Sequence, residues 1–274
     1  MQYRRGGAVA VAGLVAGVVA GASGCVSSGA AAEDAASGDV VGRLHRAADT
    51  LFAAGSSRAQ TSMEMATGGT RVTIRGEGVY DYRRQLGELR VVLPQDPTGV
   101  SEHRPITELL APGALFMKNR GAGVPADKWV RVDTATLADG NLVTGGATDP
   151  FAAAELLRGV QEASYVGREE VAGVAVHHYR GIADLALAAR GATAGNRASL
   201  AAAAEGFATA RVPFDVYLDD QARIRKLRHR FSFVNSGRAG VVAVASTVLL
   251  YDFGAPVVVR LPESRDIYAG RIAE

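Results

Sequence analysis

The feature that most constrains this chain is a long run of period-two alternation that begins at Ala59. Met63 and Met65 alternate with Ser62 and Glu64, while Val72, Ile74, Tyr80 and Tyr82 alternate with Arg71, Thr73, Arg75 and Asp81. Leu89, Val91 and Leu93 continue the pattern. Successive side chains on a strand point to opposite faces, so these segments predict strands with one apolar face. The short Gly-containing or charged stretches between them predict turns, and therefore an antiparallel meander. Shorter strands are expected at 114–119 and 128–132, the second carrying Trp129.

The same period returns later in the chain. A hairpin is expected with arms 163–170 and 174–182 meeting around Ala172 and Gly173. Val212, Phe214, Val216 and Leu218 alternate strictly, Asp219-Asp220-Gln221 supplies turn residues, and 224–234 runs back. The last long strand, 240–253, is apolar on both faces: Val241, Ala243, Ala245 and Leu249 on one, Val242, Val244, Val248 and Leu250 on the other. Such a strand is expected to be covered on both sides.

Helical spacing marks three places. Val40, Leu44, Ala47, Ala48 and Leu51 share one face behind a candidate N-cap, Asp39. Asp149-Pro150 starts a helix striped by Phe151, Ala154, Leu157 and Val160. The Ala-rich stretch 184–208 is expected to be helix split at Gly191 and Gly195. The sum is a single α+β domain: a mostly antiparallel sheet of about eleven strands, covered by helices on one face.

Ahead of the domain, Arg4 and Arg5 precede an apolar stretch from Ala8 to Ala20 and then Ala22-Ser23-Gly24-Cys25. That is the order of a secretory signal, and the apolar part is shorter than the roughly 20 residues a permanent span needs. Residues 1–24 are therefore expected to be an export signal, by the Sec or the twin-arginine route, 25–38 a flexible tether, and 39–274 the domain. Small residues before a lone cysteine resemble the lipobox of bacterial lipoproteins, which implies that Cys25 is lipidated, with palmitate among its acyl groups, and anchors the chain to the extracytoplasmic face of the cell membrane. The competing reading is an incidental cysteine beside an ordinary cleavage site. With one cysteine there is no intrachain disulfide and no thiolate metal cluster. The formal charge of +2 resides in Arg4 and Arg5, so the remainder is near neutral and lacks the net positive field that nucleic-acid binding requires.

Five segments carry a resemblance when taken in order: Val79-Tyr80-Asp81; Lys128-Trp129-Val130-Arg131-Val132; the arm from Gly173 ending His178-Tyr179-Arg180-Gly181; Val212 to Leu227 with its Asp219 turn; and Tyr251-Asp252-Phe253-Gly254 leading to Pro256. Together they resemble the LppX/LprG-type actinobacterial lipoproteins of the LolA/LolB-like superfamily of lipid and lipoprotein carriers. The resemblance implies a half-barrel closed by helices over an apolar cavity that takes acyl chains of a lipid or glycolipid. Alternation nominates Met63, Met65, Val72, Ile74, Leu89, Val91, Leu115, Met117, Val241 and Ala243 as its lining, with a one-residue error in register enough to turn a strand outward. The expectation is a monomeric binding protein with no cofactor and no metal. A sensor that binds a membrane signalling partner, or a carrier that serves a membrane transporter, uses the same fold; an enzyme acting on envelope lipids is the third class.

Other chemistry-bearing residues read more simply. His177 and His178 are adjacent on a strand, so they point to opposite faces and cannot share a metal as neighbours. Asp219 and Asp220 fit turn chemistry better than paired acid and base. The run Arg223, Arg225, Lys226, Arg228 and Arg230 reads as a solvated edge strand whose charges discourage aggregation, with contact to anionic headgroups as the alternative. No nucleophile elbow, phosphate loop or dinucleotide fingerprint is present.

Overall fold

A computed structural model of the chain describes residues 39–67, 70–94, 104–121, 123–234 and 241–270. Cys25, the signal and the tether lie outside the described residues.

Two meanders build one sheet. The first contains β1 (Ser56–Thr67), β2 (Thr70–Asp81), β3 (Leu86–Val92), β4 (Ile106–Ala111), β5 (Ala114–Lys118) and β6 (Trp129–Asp133). The second contains β7 (Val160–Val171), β8 (Val174–Asp184), β9 (Arg211–Leu218), β10 (Ile224–Val234) and β11 (Val241–Tyr251). They join where β11 pairs with β1, giving the order β6-β5-β4-β3-β2-β1-β11-β10-β9-β8-β7 with antiparallel neighbours. The sheet is curved and open. Its two edges, β6 and β7, are consecutive in sequence, so the connection 134–159 must cross the full width of the sheet. Everything about the inner face depends on that crossing.

Local chemistry sets the helices. In α1 (Val40–His45) the Asp39 carboxylate accepts from the Gly42 amide at 2.9 Å, and the chain restarts after Arg46 as α2 (Ala47–Ala54). Val40, Leu44, Ala47, Ala48 and Leu51 are all buried, as their spacing predicts. Asp149 caps α3 (Pro150–Glu155), accepting from Phe151 N at 2.7 Å and Ala152 N at 3.0 Å. A 3-10 turn, Leu156–Gly159, then replaces the longer helix the stripe suggests. The Ala-rich stretch divides into α4 (Leu185–Gly191) and α5 (Ala194–Gly206). Gly195 does not split it: it lies in the first turn of α5, where Pro112 approaches so closely that a Cβ would come within 2.7 Å of its Cβ.

The β7–β8 hairpin turns at Ala172 and Gly173, with φ of 50° and 78°, the pair of left-handed residues a two-residue turn needs. On the outer face of β3 to β5, Leu86, Leu109 and Phe116 pack beneath Val257 and Val259 of the C-terminal strap. Ile267 of that strap bridges to Trp129.

Candidate functional site: the concave face and its crossover

The register of β1 decides which side chains face inward. Directly opposite residues of neighbouring strands share a face, and Met63 stands between Ile74 of β2 and Ser246 of β11. Met63, Ile74, Leu89, Val91, Leu115 and Met117 are buried on this inner face, and Met65 and Val72 are partly buried against the same core. Eight of the ten nominated residues therefore face inward.

Val241 and Ala243 do not. Met65 lies opposite Val244, so the inward set of β11 is Val244, Ser246, Val248 and Leu250, and its other face turns out. Val241 is 60 % exposed, and Ala243 beside it is exposed too. This corrects both the lining and the expectation that β11 is covered on both sides. A strand apolar on both faces carries no alternation to say which face is in; the pairing partner supplies that information.

The inner face is filled by the crossover. From Asp139 to Thr148 the chain has no regular helix or strand and is folded on its own side chains. The Asp139 carboxylate accepts from the amides of Asn141 (3.1 Å), Val143 (2.8 Å) and Thr144 (2.5 Å). Asn141 Oδ1 accepts from Gly145 N at 3.1 Å. The Thr148 hydroxyl donates to Leu142 O at 2.9 Å and lies 2.5 Å from the Ser246 hydroxyl on β11. From the other side, the Arg120 guanidinium donates to the carbonyls of Thr144 (3.2 Å) and Gly145 (3.4 Å). The part of the crossover lying on β1 to β4 is Gly145-Gly146-Ala147. Gly146 packs on Val91 and Ile74, and a Cβ on Gly76 would meet Ala147 Cβ at 3.3 Å.

Beneath it are polar atoms that find no partner among the described residues: both Glu108 carboxyl oxygens, Thr61 Oγ1 and, farther along, His229 Nε2. Glu108 is on β4, opposite Leu89 and Met117. Burial pushes its carboxyl up to about 8, with Arg120 pulling the other way. Burial pushes the His229 imidazole down to about 3, so it is neutral. No alternation marks Ile106–Ala111 as a strand in the sequence, and nothing there singles out Glu108. Its segment has Ile106, Leu109 and Leu110 at helix-like spacing, and a glutamate at an inward strand position gives no apolar signal to read.

At one end of the half-barrel the packing loosens. Met65, Val72, Leu93, Phe233 and Val242 are only partly buried there. Beside them a hollow of about 370 Å³ is lined by Leu93, Arg104, Ile106, Asn119, Arg120 and Val124, among others. Two further hollows, about 510 and 520 Å³, lie on the outer face and share Ser62, Thr247 and Leu249.

The remaining candidates are structural. His177 and His178 take partners on opposite faces: His177 Nε2 lies 3.2 Å from Asp220, and His178 bridges Glu169 (2.6 Å) and Asp215 (2.9 Å) while stacking on Tyr217. Asp215 also accepts from Arg180 Nε and from Arg230, each at 2.7 Å. Burial works to raise its carboxyl, but the hydrogen bonds from Arg180, His178 and Arg230 win and hold it at about 2. Asp219 accepts from the amides of Gln221 and Arg223 and from the Arg223 guanidinium, the turn role expected of it. The basic run is not on an edge strand as expected, because β10 pairs with β9 and β11 on its two sides; Arg223 and Arg225 lie over the Phe253 ring, Lys226 over Tyr217, and Arg230 on Asp215.

The sequence matches no family model and no curated relative. Among solved structures the chain is similar to the lipoprotein LppX of Mycobacterium tuberculosis, with 10% identity and a TM-score of 0.47 over 81% of this chain and 98% of that one. It is similar to LprF of Mycobacterium bovis, with 14% identity and a TM-score of 0.41 over 81% and 96%. It is also similar to MucB of Pseudomonas aeruginosa, with 14% identity and a TM-score of 0.32 over 86% of this chain and 63% of that one.

Proposed function

We propose that the protein is a membrane-anchored extracytoplasmic lipoprotein that binds acyl chains of a lipid or glycolipid on the concave face of its half-barrel and carries or sorts that lipid. The observation that carries this reading is the inner face itself. Met63, Ile74, Leu89, Val91, Leu115 and Met117 make the inner face of β1 to β5 predominantly apolar, interrupted at β4 by Glu108, and it runs out to a partly exposed apolar rim at Met65, Val72, Leu93 and Phe233. Burying an acyl chain against such a surface is favourable by about 0.8 kcal/mol per methylene. Methionine suits a site for flexible chains because its thioether adapts to irregular apolar partners. In this reading Cys25 holds the domain beside the membrane that supplies its cargo, and the chemistry is binding, not catalysis.

Lipid extraction of the purified chain, followed by mass spectrometry, tests the reading. Co-purified acyl lipids at a fixed stoichiometry support it. A chain free of lipid that also fails to bind a fluorescent fatty acid overturns it, and recovery of a membrane signalling protein with that empty chain favours the sensor instead.

A further inference from the structure

The stretch of crossover that covers the apolar inner face is the part with the least side chain. Gly145-Gly146-Ala147 lies against Ile74, Val91 and Gly76 chiefly through its backbone, and a Cβ on Gly146 would already stand 3.4 Å from Val91 Cγ1. It also seals in Glu108 with both oxygens unpartnered and leaves the Thr61 hydroxyl without a partner, each an unfavourable burial. Arg120, meanwhile, reaches from the rim hollow to hold two carbonyl oxygens, those of Thr144 and Gly145. A segment that covers an apolar face with backbone rather than side chains, strands polar groups beneath it and presents carbonyls to a cation at the rim has the shape of an occupant that stands in for something else.

We infer that Thr144–Ala147 is a displaceable plug in an acyl-chain subsite, and that the cargo is an acyl lipid whose ester, amide or carboxyl oxygens take the place of the Thr144 and Gly145 carbonyls on Arg120. This rests on the acyl-binding reading above and deepens it: the chain enters past Leu93 and Ile106, lifts the plug from Ile74 and Val91, and leaves its polar end at Arg120. Glu108, kept protonated at neutral pH by its burial, then gains an acceptor for its hydrogen. The Gly145 and Gly146 amides, bonded within the crossover to Asn141 and Val143, lose those partners when the plug lifts.

A reversible staple tests it. In the full chain carrying Cys25→Ser, Gly76→Cys with Ala147→Cys places two Cβ atoms about 3.3 Å apart, slightly below the spacing of about 3.5–4.5 Å common in disulfides, so a small outward shift forms the bond. The neighbouring Thr61 hydroxyl, unpartnered, has to turn aside. With cis-parinaric acid as probe, the oxidised form is expected to bind at least tenfold more weakly than the same protein after reduction. Amide hydrogen exchange on the unsubstituted sequence gives a second readout that needs no variant: saturating probe is expected to speed exchange at Gly145 and Gly146. Equal binding by oxidised and reduced forms, or unchanged exchange on a chain that binds the probe, overturns the plug and leaves acyl binding standing. A chain that binds no probe in any form overturns both.

Discussion

The hydroxyl of Thr148 on the crossover lies 2.5 Å from the hydroxyl of Ser246 on β11, and both are buried. This contact pins the end of the crossover to the strand where the two meanders join. Thr148→Val keeps the shape and removes the hydroxyl, leaving Leu142 O and Ser246 short of a partner. Loss of about 1–3 kcal/mol is expected from the unsatisfied buried groups, read as a lower urea midpoint with an unchanged slope. A midpoint within error of the parent refutes the pinning role.

Two buried groups give the stability a pH optimum. Glu108 has its folded-state carboxyl raised to about 8, so between pH 4.5 and 8 the folded state holds a proton that the unfolded state releases. Stability therefore falls as pH rises through that window. Glu108→Gln is expected to be more stable than the parent at pH 8 and equal to it near pH 4, as seen in thermal melts across the range. A difference independent of pH counts against it.

His229 works in the opposite direction. Its imidazole is lowered to about 3, so between pH 6.5 and 3 the unfolded state binds a proton that the folded state refuses, and stability falls as pH drops. His229→Phe, beside Phe231 on the inner face of β10, is expected to flatten this acid limb. The same melts at pH 4 and pH 7 read the difference.

Asp215 gathers three cationic or basic groups on one buried carboxylate. Asp215→Asn leaves Arg180 and Arg230 side by side without their counter-charge, and a cost of about 1–3 kcal/mol is expected, reduced from the fully buried case because both arginines are partly exposed. Because Asp215 titrates at about 2, its contribution is present above pH 4 and is lost as pH falls through 2. Added salt should recover part of the loss by screening the arginines, and a variant insensitive to salt contradicts the account.

If Cys25 carries the proposed acyl anchor, Cys25→Ala is expected to release the protein from the membrane fraction. Fractionation of cells expressing both forms decides it: retention of the processed variant on the membrane contradicts the lipid anchor.

Much of this protein was legible in its sequence, and the reasons are local. Alternation in β1 and β2 is enforced by a face that meets the core and a face that meets water, so it identifies Met63 and Ile74 as inward. Asp39 and Asp149 announce helix starts because a free backbone amide needs a nearby acceptor. The Asp219 turn and the divided histidine pair follow from the same short-range geometry.

Only the tertiary structure decided the rest. Val241 and Ala243 face outward because β11 pairs with β1 in one register, and a strand apolar on both sides holds no trace of that choice. Glu108 is inward because β4 lies between β3 and β5, where the polar side chain breaks the pattern that would reveal its strand. The order of the strands places β6 and β7 at opposite edges, and this forces residues 134–159 across the concave face. The sequence determined most of the strands and helices, though not β4, because those preferences act over a few residues; what fills the space between sheet and helices depends on contacts between residues far apart in the chain, which only the assembled fold brings together.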